Sequence, residues 1–393
     1  MMTVLITLLG IVSVIAFLFL LSDNKKKVNF KMVGKGLIIQ LVLAFLMIKV
    51  PAGQWFIKSI SAFVTTILGY ASDGIGFVFG DALGKGIFFI DALLVIIFLS
   101  ALISILHYLG VVGFFIKYIG GAVSKIMGTE KAESFIATAN IFMGQTESPI
   151  IVGKMIPKMT NSEIMVVLVA GMGSIAGSVL VGYTAMGIPM EYLLIGSTLV
   201  PIGSLLVSKI LTPMTEKSQI SNVEIDRKGD NTSVFSAMAE GIHSGVALTL
   251  GVMGSLIAGI GLIAMVNGGL GMFGTSIESI FSVLFLPIGL LMGLPFDEAG
   301  LMGQLLGVKM SLNEFVSYSQ LAPMVSEISS RGYMMMSIAL AGFSSFTSIA
   351  ICVVGLSVLA PERKNDISKL AFRGMIGGFF VSVLSAMIVG LFI

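Results

Sequence analysis

The chain has 393 residues, of which 56% are hydrophobic and 11% charged. So few charges cannot clothe so apolar an interior in an aqueous surface of ordinary charge density, which places the chain in a bilayer. The formal net charge of +2 is too small to call for nucleic acid or an acidic partner, and the single cysteine, Cys352, excludes a disulfide framework and a cysteine metal site.

Apolar stretches long enough to cross roughly 30 Å of hydrocarbon as helices lie near residues 2–22, 33–51, 86–108, 162–187, 190–211, 245–267, 333–358 and 372–393. The expected fold class is an all-α polytopic membrane protein with eight transmembrane helices. The first run ends in Ser22-Asp23-Asn24-Lys25-Lys26-Lys27 with no small-residue cleavage pattern, which argues for a retained span over a signal peptide. Residues 53–71 carry Trp55, Phe56, Ile60, Phe63 and Ile67 at helical spacing with Lys58 and Ser61 between. They read either as a helix lying along the interface or as an ordinary packed one. The pieces 53–80, 109–129, 131–156, 270–294 and 296–323 read as too short or too interrupted to cross, and the polar stretch 213–234 as a solvated loop between two halves.

Short cytoplasmic loops carry the excess of Lys and Arg. Lys25, Lys26, Lys27 and Lys31 follow the first span, Lys117, Lys125 and Lys131 the third, Lys217, Arg227 and Lys228 the fifth, and Arg363, Lys364 and Lys369 the seventh. All four clusters then fall on the cytoplasmic side and both termini outside. On that plan residues 131–156 dip in from the cytoplasm and 296–323 from outside. Each dip is followed by a span rich in Gly and Ser, GMGSIAGSV at 171–179 and GFSSFTSIA at 342–350, and then by one more span. Two re-entrant helical hairpins in inverted repeats are the sequence pointer to a secondary transporter whose site lies at the midplane.

The first dip holds Asn140 and then Gly144-Gln145-Thr146-Glu147-Ser148-Pro149. A carboxylate, an amide and two hydroxyls in hydrocarbon are costly unless they face a wet cavity or one another. Glu147 reads as a site residue, with a structural ion pair inside the bundle as the alternative. The second dip holds Asn313 and Glu314. A carboxylate accepts from two neighbouring hydroxyls at once, the pattern of a ribose diol; the bland alternative for Glu314 is a pair with Lys309. Phe343, Ser344, Ser345, Thr347 and Ser348 set hydroxyls beside an aromatic face, while Ser174 and Ser178, like any membrane serine, could as well bond their own backbone. His107 and His243 are solitary and read as structural or interfacial. No Ser-His-Asp order, phosphate loop or dinucleotide fingerprint survives its context, so no catalytic residue is assigned.

GQTESP at 144–149, SIAGSV at 174–179, LNEFVSY at 312–318, GFSSFTSIA at 342–350 and APERKNDI at 360–367 closely resemble the concentrative nucleoside transporters, in order and spacing, through most of 86–393. The resemblance implies a homotrimer that moves nucleosides by an elevator form of alternating access. Residues 1–108 would be mainly scaffold, 109–211 a first transport repeat, 212–234 a cytoplasmic loop, 235–269 a scaffold span with trimer contact, and 270–393 the second repeat. It places Gln145, Thr146, Glu147 and Val179 at the nucleobase with Phe343 against it, and Glu314, Ser345 and Ser348 at the ribose. Asn140 and Ser174 side chains, with the carbonyls of Met143 and Ile175, fall where sodium-coupled members hold their ion; the rival coupling ion is a proton taken up by Glu147 or Glu314. Two residues depart from the usual pattern: Ser345 stands where Asn is common, and Ser148 where Ala is. The expectation is a symporter of the bacterial inner membrane, in contact with lipid and with no cofactor beyond its coupling ion. Its rivals are a nucleoside-gated channel or receptor, or a membrane-embedded enzyme with a Glu acid/base pair.

Overall fold

Apolar segments without water must satisfy every backbone N–H and C=O internally, and the α-helix does so within one segment. The computed structural model describes residues 2–145, 147–220 and 231–393, and among these every regular element is helical. The first elements are α1 (Met2–Leu20), α2 (Phe30–Lys49), α3 (Pro51–Phe79) and α4 (Val95–Tyr108), the last preceded by one π-helical turn at Phe89–Leu93. Next come α5 (Val111–Met127), α6 (Lys131–Ala139), a 3₁₀ stretch (Ser148–Lys158), α7 (Asn161–Gly173), α8 (Gly177–Ala185) and α9 (Met190–Leu211). The 38-residue α10 (Val234–Gly271) leads into α11 (Ile277–Leu291), α12 (Phe296–Ser311), α13 (Glu314–Leu321), α14 (Ser330–Leu340), α15 (Phe346–Leu359) and α16 (Lys364–Gly390).

Among the described residues eight helices are long and apolar enough to cross a membrane; seven fall on expected spans, and Pro51–Ala82 stands in place of 333–358. Residues 333–358 form two helices, because the chain breaks between α14 and α15 at a glycine, Gly342, with φ of 144°. Conversely, α3 runs for 29 residues and is long and apolar enough to cross, where 53–80 reads as too short or too interrupted to do so. Its glycines weaken the helix without stopping it, and it ends only where Gly80 adopts a positive φ of 55°. Gly36 and Gln40 of α2 meet Leu206 and the Leu199 carbonyl of α9, and Gly241 and Gly245 of α10 meet Ala101 and Ile97 of α4, so each pair runs antiparallel. The end of α2 and the start of α4 therefore lie on the same side, and α3 links them.

Contacts among the loops define the two ends of the bundle. At one, Arg373 pairs with Asp23, which also accepts from Thr212 at 2.8 Å; Lys209 pairs with Glu133; and Arg363 reaches the Met159 carbonyl and Asn161. This end gathers the loops after α1, α5 and α9 and the start of α16. At the opposite end Arg331 donates to the carbonyls of Gly293, Met292 and Gly390 and to Thr7, joining the start of α1, the α11–α12 turn and the end of α16.

Burial separates an inner layer from an outer one. Of an 18-residue apolar window, 94% of the residues are buried in Asn161–Ala185, against 6% in Pro51–Ala82 and 17% in Val234–Gly271, so α7 and α8 form the centre and α3 and α10 the rim. What α10 buries is one seam, Ala237, Gly241, Gly245, Thr249, Val252, Leu256 and Gly259, at the three-, four- and seven-residue spacing of a helix face. Gly241 and Gly245 let its backbone ride directly on Ala101 and Ile97 of α4.

Candidate functional site

Two helical pairs start at opposite ends of the bundle and turn at one shared cavity. α6 starts at the basic end, held by a capping box between Glu130 and Glu133, and its chain turns at Asn140–Glu147 before the 3₁₀ stretch returns to Lys158. α12 starts at the other end, where Ala299 packs against Gly289, and turns at Leu312–Asn313 into α13. Asn313 makes that turn possible: its Oδ1 accepts the Val316 N–H at 3.0 Å, capping α13 and putting Glu314 in the first turn, where the helix dipole favours a carboxylate. Ser345 caps α15 in the same way. Asn and Ser are about equally good caps, so the serine that departs from the family pattern keeps the helix start while shortening the side chain.

The breaks between α7 and α8 and between α14 and α15 interlock. The Phe343 N–H donates to the Ser174 carbonyl at 3.2 Å, and the Gly177 N–H to the Phe142 carbonyl at 3.2 Å, tying the first tip to the first break. A Cβ on Gly342 would lie 3.0 Å from the Gly173 carbonyl oxygen, so this crossing needs glycine for space as well as for its φ.

Together these parts enclose a cavity of about 530 Å³, within the roughly 300–1,000 Å³ of small-molecule sites. Gln145, Glu147 and Val179 line it from the first half, and Glu314, Phe343, Ser345 and Ser348 from the second. Thr146 lies outside the described residues. Glu147 Oε2 accepts the Gly144 N–H at 3.2 Å, and Glu314 Oε1 accepts the Tyr183 hydroxyl at 2.8 Å. The Gln145 amide is held at both ends, donating to Ser348 Oγ at 3.5 Å and accepting from the Cys352 thiol at 3.4 Å. Ser345 and Ser348 hydroxyls lie 3.2 Å apart.

Neither glutamate takes its bland alternative. Among the described residues no ion pair involves Glu147 or Glu314. Lys309 instead donates to the Ala339 carbonyl and to Ser382 Oγ, both at 2.9 Å, capping the end of α14 and fastening it to α16. The turn at Leu312–Asn313 separates the two residues, so Lys309 lies in the last turn of α12 while Glu314 begins α13.

Beneath the cavity lies a neutral oxygen cluster. Asn140 is fully buried; its Nδ2 donates to the Ile136 carbonyl at 2.9 Å, and its Oδ1 accepts from Ser148 Oγ at 2.9 Å and Ser174 Oγ at 3.2 Å. Among the described residues none donates to the carbonyls of Met143 or Ile175, both of which belong to buried residues at the tip and the break. Buried carbonyls with no donor among the described residues, beside amide and hydroxyl oxygens, suit a hard monovalent cation, and no His, Cys, Asp and Glu grouping fit for a transition metal occurs among the described residues.

Sequence reasoning missed one wall. Ser244, Ala247, Leu248, Gly251, Val252 and Ser255 of α10 close the cavity; their three- and four-residue spacing of small side chains was visible, but nothing in the sequence said which helix they face. Tyr183 was missed as well. A second cavity of about 390 Å³, lined in part by His107, Asn231 and Glu240, shares Glu147 and Ser244 with the first and leads toward the loop at the basic end.

The chain matches the family models "Na+ dependent nucleoside transporter N-terminus" over residues 9–82, "Nucleoside recognition" over 89–190 and "Na+ dependent nucleoside transporter C-terminus" over 192–390. It belongs to the Na+-dependent nucleoside transporter family. Among relatives of this chain, an uncharacterized transporter of Haemophilus influenzae is 40% identical, covering 100% of this chain and 98% of that one. The nucleoside permease NupC of Helicobacter pylori is 34% identical over 98% and 96%. The structure of CNTnw in an inward-facing substrate-bound state superimposes with a TM-score of 0.94 at 37% identity, covering 99% of this transporter and 98% of that chain. These relatives are transporters and permeases and not enzymes, so a Glu147–Glu314 acid/base pair has no support from them.

Proposed function

We propose that the chain is a secondary active nucleoside importer that couples uptake to inward sodium movement by an elevator form of alternating access. The observation that carries this reading is that the two oppositely entering turns present Glu147 and Glu314 to one cavity, ringed by the N-terminal ends of α8, α13 and α15. Half-helix ends facing a midplane site are the architecture of secondary transporters.

In this reading the pairs around 131–158 and 296–321 are re-entrant hairpins of two inverted repeats. Gln145, Thr146 and Glu147 meet the polar edge of the base, Val179 and Phe343 its faces, and Glu314 with Ser345 and Ser348 the ribose hydroxyls. Asn140 Oδ1, Ser174 Oγ and the carbonyls of Met143 and Ile175 would hold sodium, which supplies positive charge to a site otherwise built of neutral oxygens. Residues 109–211 and 270–393 move as a transport domain, an idea supported by the hydrogen bonds that knit their breaks together. Residues 1–108 and 235–269 stay as scaffold, with α3 along the interface and the exposed face of α10 toward lipid and partner copies in a trimer. With the basic end toward the cytoplasm, the loop 212–234 lies inside and both chain ends outside.

The test is uptake of labelled uridine, inosine and guanosine by proteoliposomes. An inward sodium gradient should drive accumulation above equilibrium, with the solute recovered unaltered. Uptake driven by a proton gradient alone replaces sodium by a proton; uptake that never exceeds equilibrium makes the protein a channel, and none of the three entering overturns the assignment.

A further inference from the structure

We propose that the Ser148 hydroxyl is an oxygen ligand for the coupling cation, an addition this chain makes to the donors offered by Asn140 and Ser174. The proposal rests on the sodium reading above and extends it to a residue that reading does not use.

Ser148, Asn140 and Ser174 come from three separate places, the start of the 3₁₀ stretch, the end of α6 and the break after α7, and all three are buried. Their polar atoms converge on one point, Asn140 Oδ1, which receives both hydroxyls, at 2.9 Å from Ser148 and 3.2 Å from Ser174. An amide oxygen offers two lone pairs, so the two serines saturate it. A cation entering this cluster therefore has to take an oxygen that hydroxyl protons already occupy, and both protons must turn elsewhere.

Ser174 has a second acceptor at hand. Ser174 Oγ already lies 3.4 Å from the Gly171 carbonyl. Ser148 stands one turn beyond Gly144, whose carbonyl already takes the Ser148 N–H at 3.0 Å and the Glu147 N–H at 3.2 Å, so a serine hydroxyl turning back four residues reaches it only as a shared acceptor. Once the protons turn, each hydroxyl oxygen presents lone pairs toward Asn140, and three side-chain oxygens face one point. The protein exchanges an internally satisfied polar cluster for a cation-filled one, with the Ser148 proton sharing a carbonyl that two backbone N–H groups already use. An alanine at 148 could do neither: the ion-free state would lose one donor to Asn140, and the loaded state one oxygen. The same residue also couples the ion to substrate, because Ser148 directly follows Glu147 on the wall of the cavity.

The experiment measures binding apart from transport. Purified full-length protein in detergent is heated in rising sodium chloride, with choline chloride holding ionic strength constant, and the sodium dependence of the melting temperature gives the apparent affinity. The wild-type chain should be stabilised by sodium, and Ser148→Ala should need about tenfold more sodium for the same stabilisation, the scale of one lost contact to a charged group. Should Ser148→Ala not fold, Ser148→Cys takes its place with the same expected loss, since sulfur is a poor ligand for a hard cation. A sodium response unchanged in the variant overturns the role of Ser148 and leaves sodium coupling standing. A wild-type protein indifferent to sodium but stabilised by nucleoside sinks the sodium site as a whole.

Discussion

The hydroxyl of Tyr183 donates to Oε1 of Glu314 at 2.8 Å across 131 positions of sequence, joining the middle of α8 to the first turn of α13. Phe315 and Tyr318 stack on the same ring, with centroids 4.7 and 4.4 Å away, so the carboxylate is aimed by a packed aromatic cluster. One Glu314 oxygen is thereby fixed, leaving the other for the ligand.

Tyr183→Phe keeps the ring and removes only this hydrogen bond. Nucleoside affinity should fall by about tenfold, while 2′- and 3′-deoxynucleosides, which lack one of the hydroxyls a fixed carboxylate reads, should lose less. Competition against labelled uridine by wild-type and variant proteins checks this, and an equal loss for all ligands would contradict it.

Glu147→Gln and Glu314→Gln preserve shape and remove charge at the two cavity tips. Each should abolish gradient-driven uptake, and size-exclusion chromatography should still return a folded oligomer. Retention of more than half the wild-type rate by either variant would remove that residue from the site.

Lys309 tests the fastening of α14. Replacing it by Met leaves the Ala339 carbonyl and Ser382 hydroxyl short of a donor in a fully buried position, at a cost of about 1–3 kcal/mol. Thermal unfolding in detergent should show a lower melting temperature than for Glu314→Gln.

Movement of the transport domain past α10 has a steric test. A Cβ on Gly259 would lie 3.3 Å from Leu312 at the second tip, so a large side chain there meets the hairpin as it slides. Gly259→Leu should lower the maximal uptake rate severalfold with nucleoside binding by the purified protein little changed; equal losses in both would mean that the site itself is distorted.

Ser345→Asn restores the residue common in the family. Because Asn caps a helix as well as Ser does, the melting temperature should hold, while the longer amide adds a donor toward the ribose and should tighten nucleoside binding. A lower melting temperature with no gain in affinity would refute the idea that only reach distinguishes the two.

Membrane residence, helical structure and the acidic tips were legible in the residues because each rests on local chemistry: hydrocarbon length, backbone hydrogen bonding and the cost of placing Glu147 and Glu314 among apolar neighbours. Boundaries were less so. Residues 333–358 read as one broken span, but hydropathy counts side chains and could not set the break, a backbone event between α14 and α15 that Gly342 permits and contact with Gly173 stabilises. The long α3 escaped for the converse reason, since interspersed polar residues and glycines lower apolarity without ending a helix.

What the sequence alone determined is which residues carry charge and hydroxyls in an apolar chain, and that they cluster at two interrupted segments. What only the tertiary structure decided is whom each one meets: Lys309 turned to Ala339 and Ser382 instead of Glu314, Tyr183 brought to Glu314, Ser148 and Ser174 both directed at Asn140, and α10 closing the cavity with small residues. Spacing along a helix gives the direction of a side chain, but its partner is set by the packing of a second helix distant in sequence, and no local periodicity encodes that choice.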